Sequence, residues 1–392
     1  MRMSRLPAGG SNIFQQIRSR RAEAEAGGVA LLDLSIGEPR GVALTSAREA
    51  ASRAVMSEDE AMHAYQYNDS PAVPGFSKRF VRAHLAQDLP NGEIDYLPIP
   101  GIKPILGLLP LACGCAGEDV IVATTAPGYP IPANWCAYHP RVDHRVVPLT
   151  SANRFRFSAS DIPEGTDLLM MNYPHNPSGQ IAELDWITEI CTHCAEHDIR
   201  LFNDAAYMAL SHDRGSVTLS QVAPHYPELS WAEAFTAAKL IGNGTGWHIG
   251  AMVGSSDFIA DMKEVKGKTD AGFVAPMAAG VLAALEDDQK SIAGYVTMYH
   301  KRLEILENVM ITAGMRLAIE PRAGFYTLWE TPARAFGEVI GSAAEFNFRM
   351  IERTGVVGVH FGAYLRYAVC ADVAAIRDSL TDAFHSAEVS YD

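Results

Sequence analysis

At 392 residues, with 48% hydrophobic and 20% charged positions, the chain can bury a sizeable core and divide into two or three structural units. A formal charge of −14 and the lack of any Lys/Arg-rich run argue against a nucleic-acid surface. No apolar run approaches the roughly 18 residues that suggest a membrane span, and the longest, 105–115, is broken by Gly107, Pro110 and Gly114.

The first ten residues, MRMSRLPAGG, carry basic groups with no apolar segment behind them. No signal peptide is therefore expected, and the expected compartment is the cytoplasm. The next segment, LLDLSIGEP (31–39), has no partner in its own neighbourhood and is expected to pack against a distant part of the chain. Short buried strands are then predicted at 119–123 (DVIVA), 143–148 (DHRVVP), 168–172 (LLMMN), 199–203 (IRLFN) and 251–254 (AMVG). Helical stretches after Gly101, after Tyr129 and over 183–197 separate several of them. Strands separated by helices imply crossover connections, hence an α/β domain whose mostly parallel sheet is sandwiched by helices.

Near residue 285 the pattern changes. A long helix over about 287–313 leads to GFYTLWE (324–330), a helix near 343–354, the strands VVGVHF and YLRYAVC, and a last helix over 372–387. The expected organisation is an N-terminal arm (1–45), a large domain (46–285) and a smaller α+β domain (286–392) that the N-terminal segment joins. No internal repeat or low-complexity tract is found.

Six cysteines (113, 115, 136, 191, 194 and 370) make no disulfide framework in a chain of this length. Cys191 and Cys194, with His193 and His197 nearby, share one face of an amphipathic helix. No second pair follows at zinc-site spacing, so buried helix cysteines are favoured over metal ligands and no metal site is expected.

The chemistry concentrates in an ordered set: NYPHNPSG (172–179), Asp204 and Tyr207 in FNDAAY, and Lys239. An amide, a carboxylate, a phenol and an amine are the groups needed to hold and activate pyridoxal phosphate. That cofactor requires a lysine for the Schiff base and for proton movement, and a carboxylate to keep its pyridine nitrogen protonated. It also requires donors to its phenolic oxygen and an anion cup for its phosphate. Asp204 follows an apolar run at the carboxyl end of a predicted strand, where open α/β sheets bind ligands. Asn176 sits in a loop stiffened by Pro174 and Pro177. Lys239, among neutral residues, is suited to a lowered pKa and a role as nucleophile and base.

These residues resemble those of fold-type I pyridoxal-phosphate enzymes of the class I/II aminotransferase family, and DAAY and NPSG resemble its LL-diaminopimelate aminotransferase branch. The resemblance runs from LLDLSIGEP to YLRYAVC, most of the chain. It implies Lys239 as the Schiff-base lysine, Asp204 as the partner of the pyridine nitrogen, and Asn176 and Tyr207 as donors to the phenolic oxygen. It also implies Tyr129 (APGYP) stacked on the ring, and Ile102 and Lys103 (PGIKPI) offering backbone amides to the phosphate. Tyr67 (AYQYNDSPAVPG) is implied to reach the phosphate from a neighbouring subunit, which makes the protein a homodimer with sites at the interface. Gly37 and Arg366 are implied to hold the substrate α-carboxylate, for which an arginine fork is well shaped.

Two departures fall on the phosphate cup. Where the family carries Ser-x-Ser-Lys, this chain has Thr236-Ala237-Ala238-Lys239, so Thr236 keeps one hydroxyl and Ala238 lacks the other. Where the family carries an arginine about eight residues after the lysine, KLIGNGTGWHIG places His248 nine residues on. Replacing a charged fork by imidazole is expected to weaken the phosphate grip by about 1–3 kcal/mol. Gly242, Gly244, Gly246 and Thr245 offer either a compensating anion nest or simply a flexible loop. In a third departure, HFGAYLRYA is short between Gly362 and Arg366.

The expected activity is amino transfer from an amino acid to a 2-oxo acid. Elimination, decarboxylation or oxidation at the same site, or a catalytically silent relative, are the alternatives.

Overall fold

The computed structural model describes residues 13–85, 88–90, 92–270 and 272–392. The signal-peptide reading of the first ten residues lies outside them. In chain order the strands are β1 (Leu32–Asp33), β2 (Ile94–Ile99), β3 (Val120–Ala126), β4 (Val142–Pro148), β5 (Leu168–Met171), β6 (Arg200–Asp204), β7 (Trp231–Thr236), β8 (Gly250–Ser255), β9 (Leu317–Ile319), β10 (Tyr326–Glu330), β11 (Arg334–Ala335), β12 (Glu338–Val339), β13 (Val356–Val357), β14 (Val359–Phe361) and β15 (Tyr364–Ala368).

Seven strands form the large sheet in the order β2-β8-β7-β6-β5-β3-β4. The β4-β3-β5-β6-β7 run is parallel, while β8 lies antiparallel between β7 and β2. Its central strands read as continuous apolar runs because both faces are covered. All four residues of β5 and all six of β7 are buried, with one core cluster on each side of the sheet. The helix Leu184–Glu196 packs one face with Trp186, Ile187, Ile190, Cys191 and Cys194, so both cysteines are core residues. Burial pushes the Cys191 and Cys194 thiols well up, that of Cys194 to about 12.

A four-stranded antiparallel sheet, β14-β15-β10-β9, builds a second core with the helices Gln289–Thr312, Ala343–Thr354 and Arg377–Ser386. The N-terminal segment joins it. β1 pairs in parallel with β13, the Ala368 N–H donates to the Leu34 carbonyl, and Ile17 and Ala24 of the helix Ile13–Ala26 pack on Ile351, Val357 and Phe361.

Local physics accounts for where the elements differ from the sequence reading. The apolar run 105–115 contributes to two short helices, Ile102–Leu106 and Leu109–Ala112, with Gly107 between them and a proline in the first turn of the second. The last helix begins at Arg377, later than the pattern suggests. The helices Thr45–Val55 and Ala275–Asp287 were not expected; they pack closely because Gly280 leaves no room for a Cβ, which would stand 2.5 Å from the Ala47 carbonyl. Edge strand β2, whose IDYLPI includes a proline, also went unforeseen.

Candidate active site

Register fixes where the chemistry gathers. Met171 of β5 lies beside Asn203 of β6, Asp204 beside Ala234 of β7, and Thr236 beside Gly250 of β8. The carboxyl ends of the parallel strands therefore open together. Chain order runs from β3 outward to β4 and then returns to β5 on the other side of β3, a topological switch point of the kind that binds ligands. A narrow cleft lies there, lined by Thr124, Thr125, Tyr129, Met171, Asn172 and Asp204 among others.

Asp204 is buried at the end of β6. Burial raises its carboxyl to about 6, while the charge of Lys239 and the Ala206 N–H, which donates to Oδ1 at 3.1 Å, oppose the rise. Lys239 closes a 3-10 turn, Ala237–Lys239, directly after β7. Its Nζ stands 4.9 Å from the centroid of the Tyr207 ring. Desolvation lowers its pKa, opposed chiefly by the charge of Asp204. Tyr129 lines the same cleft. Burial raises its phenol, the charge of Asp204 adds to the rise, and Arg366 opposes it.

Amides lace the ring end together. Asn172 Nδ2 donates to the Asp204 carbonyl at 2.7 Å, and its Oδ1 accepts the Asn176 N–H at 3.1 Å. Asn176 Oδ1 in turn accepts from Arg366 Nη1 at 2.9 Å. The peptide bonds Tyr173–Pro174 and Asn176–Pro177 in this loop are both cis.

Arg366 is 3% exposed. Its Nη2 donates to the Ser35 carbonyl at 2.9 Å, its guanidinium lies 4.2 Å from the Tyr326 ring centroid, and its Nε has no partner. Among the described residues no carboxylate forms an ion pair with it. A buried guanidinium held only by neutral acceptors is a receptor for an anion.

Gly37 follows closely on Ser35 and is placed by contact. A Cβ on it would stand 1.9 Å from the Tyr326 hydroxyl. That hydroxyl is 2.9 Å from the Tyr207 hydroxyl, and both rings are buried. Tyr326, on β10 of the smaller sheet, was not singled out from the sequence. Its only signal was an aromatic on a strand, which usually means core.

The phosphate end is organised differently. Ile102 and Lys103 open a short helix after Gly101 (φ 89), with Ile102 buried and Lys103 exposed. The Thr236 hydroxyl accepts the Ala238 N–H at 3.2 Å, capping its own turn. His248 is exposed, with φ 55, at the end of the turn Thr245–Trp247. Gly242 and Gly244 are packed, whereas Gly246 is exposed with open space where a Cβ would lie. A Cβ on Gly242 would meet the Tyr295 hydroxyl at 2.7 Å, and one on Gly244 would meet the Ala237 carbonyl at 2.7 Å. The Thr245 hydroxyl is taken up by Glu38 Oε1 and Asn243 Oδ1, each at 2.7 Å. The loop is thus held at Gly242, Gly244 and Thr245 and open at Gly246.

Tyr67, like Lys103 and His248, is an exposed member of the sequence-predicted set. It is 54% exposed and meets the Tyr65 ring edge-on at 5.6 Å.

The donor set fits pyridoxal phosphate: a desolvated carboxylate and lysine at the ends of neighbouring strands, an aromatic lining the cleft, and a buried arginine that no carboxylate neutralises among the described residues. The sequence profile described as Aminotransferase class I and II matches residues 29–375. The chain belongs to that family.

LL-diaminopimelate aminotransferase of Syntrophobacter fumaroxidans is 29% identical over 390 residues, covering 94% of each chain. Its counterpart from Desulforudis audaxviator is 27% identical over 367 residues, 90% of this chain and 88% of its own. Among solved structures, aspartate aminotransferase from Rhizobium meliloti superposes with a TM-score of 0.85 at 19% identity over 100% of both chains. A probable N-succinyldiaminopimelate aminotransferase from Thermus thermophilus gives 0.81 at 21%, covering 96% of this chain and 100% of its own. These likenesses establish the fold-type I architecture. As a member of the family this chain is a pyridoxal-phosphate-dependent transaminase acting on amino acids and 2-oxo acids. The family and its relatives favour amino transfer over elimination, decarboxylation, oxidation or a silent role. Among the described residues, no helix is long and apolar enough to cross a membrane.

Proposed function

We propose that the cleft between the sheet ends and the smaller domain carries out both halves of amino transfer, with Lys239 as its single mobile acid–base group. The observation that carries this reading is the pairing of Lys239 and Asp204 across one desolvated slot, each shifting the other's titration. Bound pyridoxal phosphate supplies an electrophilic aldehyde carbon and a ring that stores the electron pair released at the substrate α-carbon. Buried Asp204 would hold a proton at the pyridine nitrogen, and Asn172 keeps its backbone in register. Tyr129 would cover one ring face, and Asn176 and Tyr207 would meet the phenolic oxygen.

Arg366 and the backbone at Gly37 bind the substrate α-carboxylate, which places the α-hydrogen where Lys239 Nζ removes it and later returns it. Its lowered pKa leaves Lys239 a larger neutral fraction than a solvated lysine has, and neutral amine is the form that attacks and abstracts. The backbone at Ile102 and Lys103, the Thr236 turn and His248 form the phosphate cup. Tyr67 completes it from a second copy, so the working unit is a homodimer, and its compartment is the cytoplasm.

The names of the relatives make LL-diaminopimelate the first amino donor to test. The decisive measurement is a half-reaction: holoenzyme is mixed with single amino acids and its cofactor spectrum followed. Conversion to the amine form, reversed by a 2-oxo acid, supports the reading. Release of ammonia with no amine form would overturn it.

A further inference from the structure

The chemistry above makes no use of Lys266, the last residue of the helix Ser256–Lys266, although its side chain is 0% exposed. A buried ammonium is tolerated only when paired and hydrogen-bonded, and the partners of this one lead to Tyr67. Lys266 Nζ donates to Asp270 Oδ1 at 2.7 Å and approaches Asn68 Oδ1 at 3.5 Å. The same Asp270 oxygen accepts the Gly272 N–H at 2.8 Å. Gly272 has φ 94 and lies flat on the neighbouring loop. A Cβ on it would stand 2.6 Å from the Tyr67 nitrogen and 3.0 Å from the Tyr67 carbonyl oxygen.

The ion pair therefore pins Asp270 and Gly272 against the backbone of residues 66 and 67. A second clamp acts from within the loop. Gln66, 1% exposed, donates to the carbonyls of Ala61 and Ala64 and accepts the Ala72 N–H. Between the clamps Tyr67 is held at φ 41 and Ser70 at φ 52, left-handed backbone that a tyrosine seldom adopts. A chain that holds a residue in such a conformation while leaving its ring in solvent is presenting that ring outward.

We propose that Lys266 is a positioning residue for the neighbouring subunit's site. Through its buried pair with Asp270 it holds the Gln66–Tyr67 backbone so that the Tyr67 hydroxyl reaches the cofactor phosphate of a second copy. The inference rests on the reading of the protein as a homodimer with Tyr67 crossing the interface.

The test asks whether Lys266 acts in its own chain or across to the other. Light scattering reports assembly, and pyridoxal phosphate titrated into apoprotein, followed by its Lys239-linked absorbance, reports affinity. Tyr67→Phe, Lys266→Met and Gly272→Ala should each remain dimeric and weaken cofactor affinity roughly 10- to 100-fold, the range of one charge-assisted hydrogen bond to phosphate. Gly272→Ala disturbs the Tyr67 backbone with the ion pair intact, so it still tests the idea if Lys266→Met does not fold.

A doubly tagged hybrid of a Lys266→Met chain with a Lys239→Ala chain has one site joining an intact Lys239 to an intact Tyr67 clamp. That site should recover wild-type affinity. A hybrid without recovery, or Lys266→Met homodimers with unchanged affinity, would overturn the proposal. A monomeric wild-type protein, or a Tyr67→Phe dimer with unchanged affinity, would overturn the dimer reading beneath it.

Discussion

The two ends of the cofactor cleft are built on different principles. At the ring end, Asp204, Asn172, Asn176, Arg366 and the Tyr207–Tyr326 pair are tied to one another by short hydrogen bonds, with all six residues buried. At the phosphate end, His248 and Lys103 are exposed and Thr236 spends its hydroxyl on its own turn. Tyr67 is exposed as well. The ring end is preorganised by the core itself, where low dielectric strengthens each bond. In the proposed arrangement the phosphate would be met by backbone amides and by a second copy of the chain. Catalytic geometry should therefore survive changes that loosen the cofactor, and the reverse should not hold.

The strongest way to break this contrast is at Lys239. Lys239→Ala should lower transamination by more than roughly a thousandfold while leaving cofactor bound non-covalently, measured by steady-state rates and by spectra before and after dialysis. Arg366→Leu should follow, at roughly 2–4 kcal/mol of lost transition-state stabilisation, about 30- to 1000-fold in kcat/KM, with cofactor affinity little changed. A large loss of cofactor in that variant would mean the ring end is less self-sufficient than its bonds imply.

Asp204 gives a pH signature. Its folded carboxyl titrates near 6 against 3.8 for an unperturbed one. The protonated form is thus favoured by folding, and the stability this contributes is present below about pH 4 and lost as pH rises to 6. Apoprotein melting should decline across that window by up to roughly 3 kcal/mol, and Asp204→Asn should flatten it. At the other end, His248→Arg should tighten cofactor roughly tenfold without raising kcat, measured by equilibrium titration. Smallest of all, Tyr326→Phe should cost about 1 kcal/mol, roughly fivefold in kcat/KM, by removing one buried hydrogen bond to Tyr207.

Much of the ring end was legible before any coordinates. Asp204 and Asn176 follow apolar runs that can only be buried strands, and Lys239 follows another, so chain order alone brought three groups to one sheet edge. Tyr326 escaped notice because an aromatic in GFYTLWE looks the same whether it packs a core or orients a phenol. Asn172 escaped for a related reason: its value lies in bridging Asp204 and Asn176, which no local pattern encodes. The loop after Lys239 was open to two readings, and neighbours from far along the chain, Tyr295 and Glu38, decided what its glycines and threonine do.

By itself the sequence determined the α/β class and the family, since hydrophobic period and motif chemistry are local properties. Tertiary structure alone decided that Arg366 is buried without a counter-charge among the described residues and that Gly37 has no room for a side chain. It also decided that a lysine far from the chemistry clamps the backbone of Tyr67. Each of those depends on contact between segments remote in the chain, and a one-dimensional pattern carries no distance between them.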